Sequence, residues 1–502
     1  MEPLSPAVWG IALATVALHS VCLTRYGYFR DELYYLACTE RLAWGYVDHP
    51  PLSVAVLWAV TRVFGDSLVA VRLPVVLAGA ATVLLVGMIA REVGGRSTAQ
   101  TLAGLCAATA PVYLVVFHLF SMNGLDVLLW AWATLVFIRA LRDSTNARWL
   151  GLGVIVGLGL LNKYSMLWLV AGIGIGLLAT TYRRLLLTSG PWVAALVAVT
   201  LFSPHIVWQI ENGWPSVEFV RNATEFKMAH VGPTQFILTQ VVVMNVGAAP
   251  IWLVGLVGGL VHQSAREFRP LAAAFAVVAA ILIASMSARE NYLSPAYPLV
   301  LGIGSTMVEQ WVGRRRCRRA GVFGPVMAFG VLTIPLALPI LPVRTLETII
   351  VGSGLTPPQA ERGEKSPIQG FADMHGWREM TDAVEEAVGT IPPERRSGLV
   401  VYTHNYGQAA AVEFFGRGRG LPPVVSRHNS FWLWGTRGWD GKMAIVVGTM
   451  PPDHAALFEQ VVRVGRAEPS PAVPEERNVP IYIVTGLRVS VDDFWSRVRH
   501  FW

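Results

Sequence analysis

Apolar residues form long runs through the first two-thirds of the chain, at about residues 6–24, 68–90, 98–117, 122–141, 149–162, 164–181, 191–209, 234–261, 271–288, 293–312 and 321–342. About 20 apolar residues allow a helix to cross the hydrocarbon of a bilayer, so the pattern predicts about eleven membrane spans. The fifth and sixth runs are short and meet at LNKYS, residues 161–165, where a broken or partly inserted helix is expected. The first run follows no basic segment and lacks a small-residue cleavage site, so it is expected to be a retained span. Between the first two runs, residues 28–52 (YFRDELYYLACTERLAWGYVDHPPL) interrupt the pattern with Arg30, Asp31, Glu32, Glu40, Arg41, Asp48 and His49. Leu33, Leu36, Ala37, Leu42 and Trp44 within it suit an amphipathic helix lying along the membrane interface.

After residue 342 the period changes. Strand-type runs at 398–403, 442–447 and 480–484 alternate with helical patterns at 375–388, 407–415 and 453–463, which predicts a small α/β domain. The expected organisation is a polytopic α-helical membrane domain over 1–342, a linker or surface loop over 343–370, and an extracytoplasmic α/β domain over 371–502.

Composition agrees with the pattern. The 502 residues are 53% apolar and only 15% charged, with a mean hydropathy of +0.48. A net charge of +7 raises the question of a nucleic-acid partner. However, the arginines cluster in short connections, at Arg91 and Arg96, Arg139, Arg142 and Arg148, Arg183 and Arg184, Arg266 and Arg269, and Arg314 to Arg319. The positive-inside rule makes that face cytoplasmic, so membrane topology explains the charge and no nucleic acid is implied. The N-terminus is then expected inside and the C-terminal domain outside. Cys22, Cys38, Cys106 and Cys317 have no metal-type spacing.

The remaining ionisable residues gather in the outer segments. Asp31 and Glu32 have two readings, as a favourable acidic pair in the first turn of a helix or as a general base with its neighbour near a substrate hydroxyl. Asp48 and His49 are held beside Pro50 and Pro51, which end one segment and start the next. Asp126 lies about one turn inside an apolar span, where a lone acid needs a partner. Lys163 is one of four lysines; it lies between two apolar runs and either snorkels to the interface or binds. Arg221, Lys227, Arg289 and Glu290 add charge to the same side. Acids and bases from five separated segments are thus expected to converge on one cavity at the outer membrane surface. Cations beside a carboxylate there suit group transfer from a lipid phosphate.

The blocks FRDELYYL…WGYVDHPPL, SMNGLD, LGLLNKYS, WQIENGWPSVEFVRN and NYLSPAYP, in this order, resemble the bacterial members of the dolichyl-phosphate-mannose protein mannosyltransferase-like group. This is the family 39 and 83 group of GT-C glycosyltransferases, which includes the lipid A aminoarabinose transferases. The resemblance covers about residues 7–312. It implies inverting transfer of a sugar from a polyprenyl-phosphate donor to a lipid, glycan or protein acceptor, on the outer face of a bacterial cytoplasmic membrane. It carries over Asp31 as base, Glu32 as its support and Asp126 as the acid at the outer end of a later span. Asp48, His49, Lys163, Arg221 and Tyr292 become donor-head contacts, with His49 standing where the aminoarabinose transferases have lysine. The first loop has no DxD, which argues against an obligatory divalent metal, and no cofactor is assigned. In the outer domain Tyr402, His404, Asn405, Tyr406, His428, Asn429, Trp432 and Trp434 either line a sugar site or complete a core, and the second reading is favoured. A lipid-linked-sugar flippase and an inactive binding protein of the same fold are the alternatives.

Overall fold

The computed structural model describes residues 3–354, 361–363, 366–467 and 477–502. Each expected apolar run falls on helix, beginning with Pro6–Cys22, Leu68–Glu92, Ser97–Ala108 and Met122–Arg142. Among the described residues five helices are long and apolar enough to cross a membrane, or up to seven if two sharply bent pairs each count as one span. The chain is therefore a polytopic membrane protein.

The run at 234–261 is not one straight helix. It breaks into Pro233–Val243 and Val246–Val261, bent by 99°. Asn245 causes the break: it adopts φ +73°, caps Gly247 N–H at 2.9 Å and donates to Thr109 Oγ1 and Val326 O, each at 3.0 Å. Hydropathy alone does not register a single amide that binds neighbouring helices. Downstream, Ala249–Val261 packs directly on Pro298–Val312. A Cβ on Gly255 would lie 2.0 Å from Val300 O, and one on Gly304 would lie 1.9 Å from Ile251 O. Small residues permit this backbone contact where lipid supplies no hydrophobic drive.

The segment between the first two expected spans forms two helices, Arg30–Thr39 and Leu52–Phe64. The first differs from the expected interfacial helix. It ends at Thr39, leaving Leu42 and Trp44 outside it and exposed, and every residue from Glu32 to Thr39 is buried. Leu33, Tyr34, Leu36 and Ala37 share a core with Trp377, Val384, Ala409, Val412 and Phe431 of the C-terminal domain. That domain, invisible to a periodicity analysis of the helix itself, covers the face assigned to lipid.

The C-terminal domain is built on a five-stranded sheet: β1 Val400–Thr403, β2 Val424–Ser426, β3 Met443–Val447, β4 Phe458–Ala467 and β5 Val479–Leu487, in the order β2-β1-β3-β5-β4. β1 is parallel to β2 and β3, whereas β5 is antiparallel to both β3 and β4. The expected helices at 375–388 and 407–415 are present as Trp377–Gly389 and Tyr406–Phe415. The expected helix at 453–463 is corrected: only Pro452–Ala455 is helical, and β4 follows. Val461, Val462 and Val464 are β-branched, and pairing with β5 decides the outcome. Residues 343–370, expected as a linker, begin with helix Val343–Ser353, whose Val343, Leu346 and Ile350 pack with Ile368 and Ala372. Residues 355–360 and 364–365 of that segment lie outside the described residues.

Candidate active site

Two adjacent acids, Asp31 and Glu32, open the buried helix, and their surroundings differ sharply. Glu32 is fully buried. Its carboxylate accepts hydrogen bonds from the backbone N–H of Phe29 (2.9 Å) and Phe120 (3.0 Å), and from Arg72 Nε and Nη2, both at 2.9 Å. Arg72, equally buried, also donates to Leu23 O at 2.8 Å and Gly27 O at 2.7 Å. One guanidinium and one carboxylate thus tie the end of the first span, the Arg30–Thr39 helix, the Leu68–Glu92 span and the turn before Met122–Arg142 together. Both oxygens of Glu32 are thus engaged, and the carboxylate fixes the start of the helix that carries Asp31.

Asp31 keeps about a third of its side chain exposed. Tyr406, on the first turn of the C-terminal helix Tyr406–Phe415, donates its hydroxyl to Asp31 Oδ1 at 2.8 Å. Burial and the nearby carboxylate keep that phenol protonated, well above its ordinary range, although Arg30 opposes the shift. Tyr406 is therefore a neutral donor that orients the carboxylate. Tyr406→Phe removes the hydroxyl and leaves the ring in place; it is expected to cost Asp31 one hydrogen bond, about 1 kcal/mol at this partly exposed carboxylate, which thermal unfolding checks.

Cations surround the pair. Lys227 Nζ lies 3.3 Å from Glu361, to which Arg289 is also paired, and Arg30 acts on the same carboxylate. Burial would raise the Glu361 carboxyl, but Lys227, Arg289 and Arg30 together hold it below its ordinary range. Burial lowers Lys227, with Glu361 opposing. On the membrane side, Lys163 Nζ bonds Asn123 Oδ1 at 2.7 Å, lies 3.6 Å from Asp126 and sits 5.3 Å from the centre of the Tyr292 ring. Asp126 is fully buried and accepts from Ser165 Oγ at 2.7 and 2.8 Å. The acid inside the span thus has its partners. Lys163, Asp126 and Tyr292 form one group, which Tyr292 joins to Arg289 through electrostatic interaction.

The structure does not bring every expected residue here. His49 is buried between Tyr35, whose ring stacks on it at 4.6 Å, and Tyr46, and its Nδ1 faces Pro50 O at 3.0 Å. His49 is thus 1% exposed in this structure, with its Nε2 3.9 Å from Asp48 Oδ1. Asp48 receives the Tyr34 hydroxyl at 2.8 Å, and Tyr34 is likewise 2.8 Å from Ser430 of the C-terminal domain. Burial raises the Asp48 carboxyl, against His49 and Tyr34. Arg221 is exposed and lines a separate cavity of about 690 Å³, with Tyr164, Phe202, His205, Val217 and Val220 among its walls. Conversely, sequence reasoning does not place Arg72 or Glu361 at the site, and it weighs Tyr406 only among the aromatic residues that line a sugar site or complete a core. A buried arginine in an apolar span is the available signal for Arg72; Glu361, distant in sequence, offers none. The described residues contain no group of three or more His, Cys, Asp or Glu side chains placed to hold a metal ion.

Residues 48–208 match the family described as dolichyl-phosphate-mannose-protein mannosyltransferase. This segment includes Asp48, His49, Asp126 and Lys163 but ends before Arg221 and begins after Asp31. Over 188 residues the chain is 28% identical to lipid A galacturonosyltransferase RgtD of Rhizobium johnstonii, a stretch covering 37% of this chain and 39% of that protein. The chain thus matches about two-fifths of the length of that curated relative. Among solved structures, ArnT from Cupriavidus metallidurans in the apo state superposes with a TM-score of 0.62 at 15% identity, covering 95% of this chain and 97% of that one. The same protein bound to undecaprenyl phosphate gives 0.63 at 14% identity, covering 94% and 97%. The likeness in fold therefore extends through the C-terminal domain, well beyond the matched family segment.

Proposed function

We propose that this chain, a GT-C glycosyltransferase of the PMT and ArnT type, transfers a sugar from a polyprenyl-phosphate-sugar donor to a cell-envelope lipid, glycan or protein acceptor. The reaction takes place on the outer face of the cytoplasmic membrane with inversion, and Asp31 is the base. In this reading the N-terminus lies inside and the C-terminal domain outside.

The observation that carries the proposal is the contrast between neighbouring carboxylates. Glu32 and Asp126 are buried and committed to partners, while Asp31 is partly open and oriented by Tyr406, close to Arg30, Lys227 and Arg289. A general base needs access to a hydroxyl, and a leaving phosphate needs fixed positive charge. The acceptor hydroxyl attacks the anomeric carbon opposite the phosphate and passes its proton to Asp31. The bond from that carbon to the phosphate oxygen breaks, and polyprenyl phosphate leaves with the electron pair beside Arg289, Lys227 and Lys163. One displacement inverts the centre. Lys227 and Arg289 both pair with Glu361 Oε1, which supports their donating to an anionic oxygen. Undecaprenyl phosphate bound in ArnT is the ligand class expected here.

The test supplies purified protein in lipid with radiolabelled polyprenyl-phosphate sugars and extracted envelope acceptors. Label moving from donor to acceptor supports the proposal, and no transfer from any lipid-linked donor overturns it. Arg289→Gln in the same assay is expected to raise KM for the donor about tenfold or more, since it removes a charge-assisted contact to phosphate.

A further inference from the structure

The C-terminal domain contains a second cluster of polar side chains that sugar transfer, as described above, leaves unused. Because β1 lies between β2 and β3 and all three are parallel, the chain leaves β1 toward one side and returns across it to the other. The carboxyl ends of β1 and β3 therefore form a topological switch point, where open α/β sheets bind ligands. His404 follows β1, Arg427 follows β2, and His454 lies in the short helix after β3. Gly448, at φ +101°, brings the end of β3 close: a Cβ there would be 3.3 Å from His404 Cδ2. His500 packs against His428 at 4.9 Å on the same side.

Several polar atoms in this crevice are buried without a hydrogen-bond partner among the described residues: Arg427 Nε, His404 Nε2, His454 Nδ1 and the Tyr402 hydroxyl. Tyr402 is 3% exposed, and its ring meets that of His404 edge-on at 5.4 Å. His404 and His454 stack at 6.2 Å. The charge of Arg427 acts on Tyr402, His404, His428, His454 and His500 alike, and no carboxylate among the described residues forms a salt bridge with it. The nearest acid of the His454 helix, Asp453, is mostly exposed and turned to His454 at 4.0 Å. Burial, reinforced by Arg427, lowers His404 and His500 to about 3, so the imidazoles are neutral and the guanidinium is the charge in the crevice. Buried donors normally have partners; here a guanidinium nitrogen, a phenol and imidazole nitrogens are buried without one.

We infer that this crevice binds an oxyanion, a phosphoryl or carboxylate group carried by the acceptor. The inference rests on the transfer reading for the identity of the ligand, and on the crevice alone for its chemistry. Guanidinium and phenol donors suit either oxyanion. Tyr406 links the two places: its hydroxyl reaches Asp31, and its backbone N–H donates to His428 Nδ1 at 3.4 Å. An acceptor anchored by its charged group at Arg427 would thus lie on the same side of the domain as the base.

The test is equilibrium binding to the full chain in lipid nanodiscs with three radiolabelled probes: glucose 1-phosphate, galacturonate and glucose. One or both anionic probes are expected to bind saturably and neutral glucose not to bind, the binding anion identifying the group recognised. Arg427→Gln is expected to weaken that binding at least tenfold, and Tyr402→Phe, which preserves the ring, several-fold. Polyprenyl-phosphate binding is expected to be unchanged in both variants. Failure of both anions to bind, or wild-type anion binding in either folded variant, overturns the inference. If Arg427→Gln does not fold, Tyr402→Phe decides. Anion binding without transfer from any lipid donor would sink the catalytic reading alone; transfer without anion binding would sink this one alone.

Discussion

Asp31→Asn is expected to lower kcat for sugar transfer by about 10²–10⁴-fold, the usual contribution of a positioned general base, while donor binding and thermal stability stay near wild type. Three features of the structure separate these quantities. The side chain is about a third exposed, so replacing it opens no cavity in a core. The Tyr406 hydroxyl, which donates to Asp31, still finds an acceptor in the amide oxygen of asparagine. The cations proposed to hold the donor phosphate, Lys227 and Arg289, are already paired with Glu361 and do not depend on Asp31 for neutralisation. Single-turnover transfer, donor-lipid binding and a melting curve measured on one preparation distinguish a missing base from a damaged fold. Undiminished transfer would remove Asp31 from the role and leave the cations without an identified base. A loss of donor binding equal to the loss of rate would make Asp31 a binding residue instead.

The residues legible in the sequence were those whose function depends on local context. An acid one turn into an apolar run announces a need for a partner, and Asp126 has Ser165 and Lys163. Likewise the period of the apolar runs marked helices throughout the membrane domain. The less legible features depend on segments distant in sequence. The Arg30–Thr39 helix looked amphipathic toward lipid, but its apolar face belongs to a core completed by Ala409, Val412 and Phe431. Tyr406 read as a core aromatic, and by burial it is one; only the fold reveals that its hydroxyl ends at Asp31. His49 lies in a loop beside Asp48, where the sequence alone suggests access, yet two tyrosine rings enclose it. Edge strand β4 was taken for helix because its pairing partner, β5, lies beyond it in the chain. In each case a long-range contact decided between local patterns that were nearly balanced, as expected when tertiary context overrides propensity.

Arg72→Met is expected to destabilise the membrane domain by about 3–5 kcal/mol, the cost of leaving a buried carboxylate without its counter-ion. Glu32 would keep only the backbone donors Phe29 and Phe120, and the Leu23 and Gly27 carbonyls would lose their guanidinium donor. Glu32→Leu alone is expected to fall in the same range, because it strands the arginine instead. The informative measurement is the double variant, since a buried ion pair replaced by apolar side chains often costs far less than breaking it from one side. If the pair serves chiefly to hold the Arg30–Thr39 helix, Arg72→Met with Glu32→Leu should be markedly more stable than the sum of the single changes predicts. It should nevertheless transfer sugar poorly, because the helix that presents Asp31 would have lost the bonds fixing its first turn to the Leu68–Glu92 span. Reversible unfolding in detergent gives the coupling energy, and transfer assays on the same preparations give the functional cost. Strict additivity would mean that Glu32 and Arg72 contribute independently. Full activity in the double variant would show that packing of Leu33, Tyr34 and Leu36 into the C-terminal domain, without the ion pair, suffices to set the base in place.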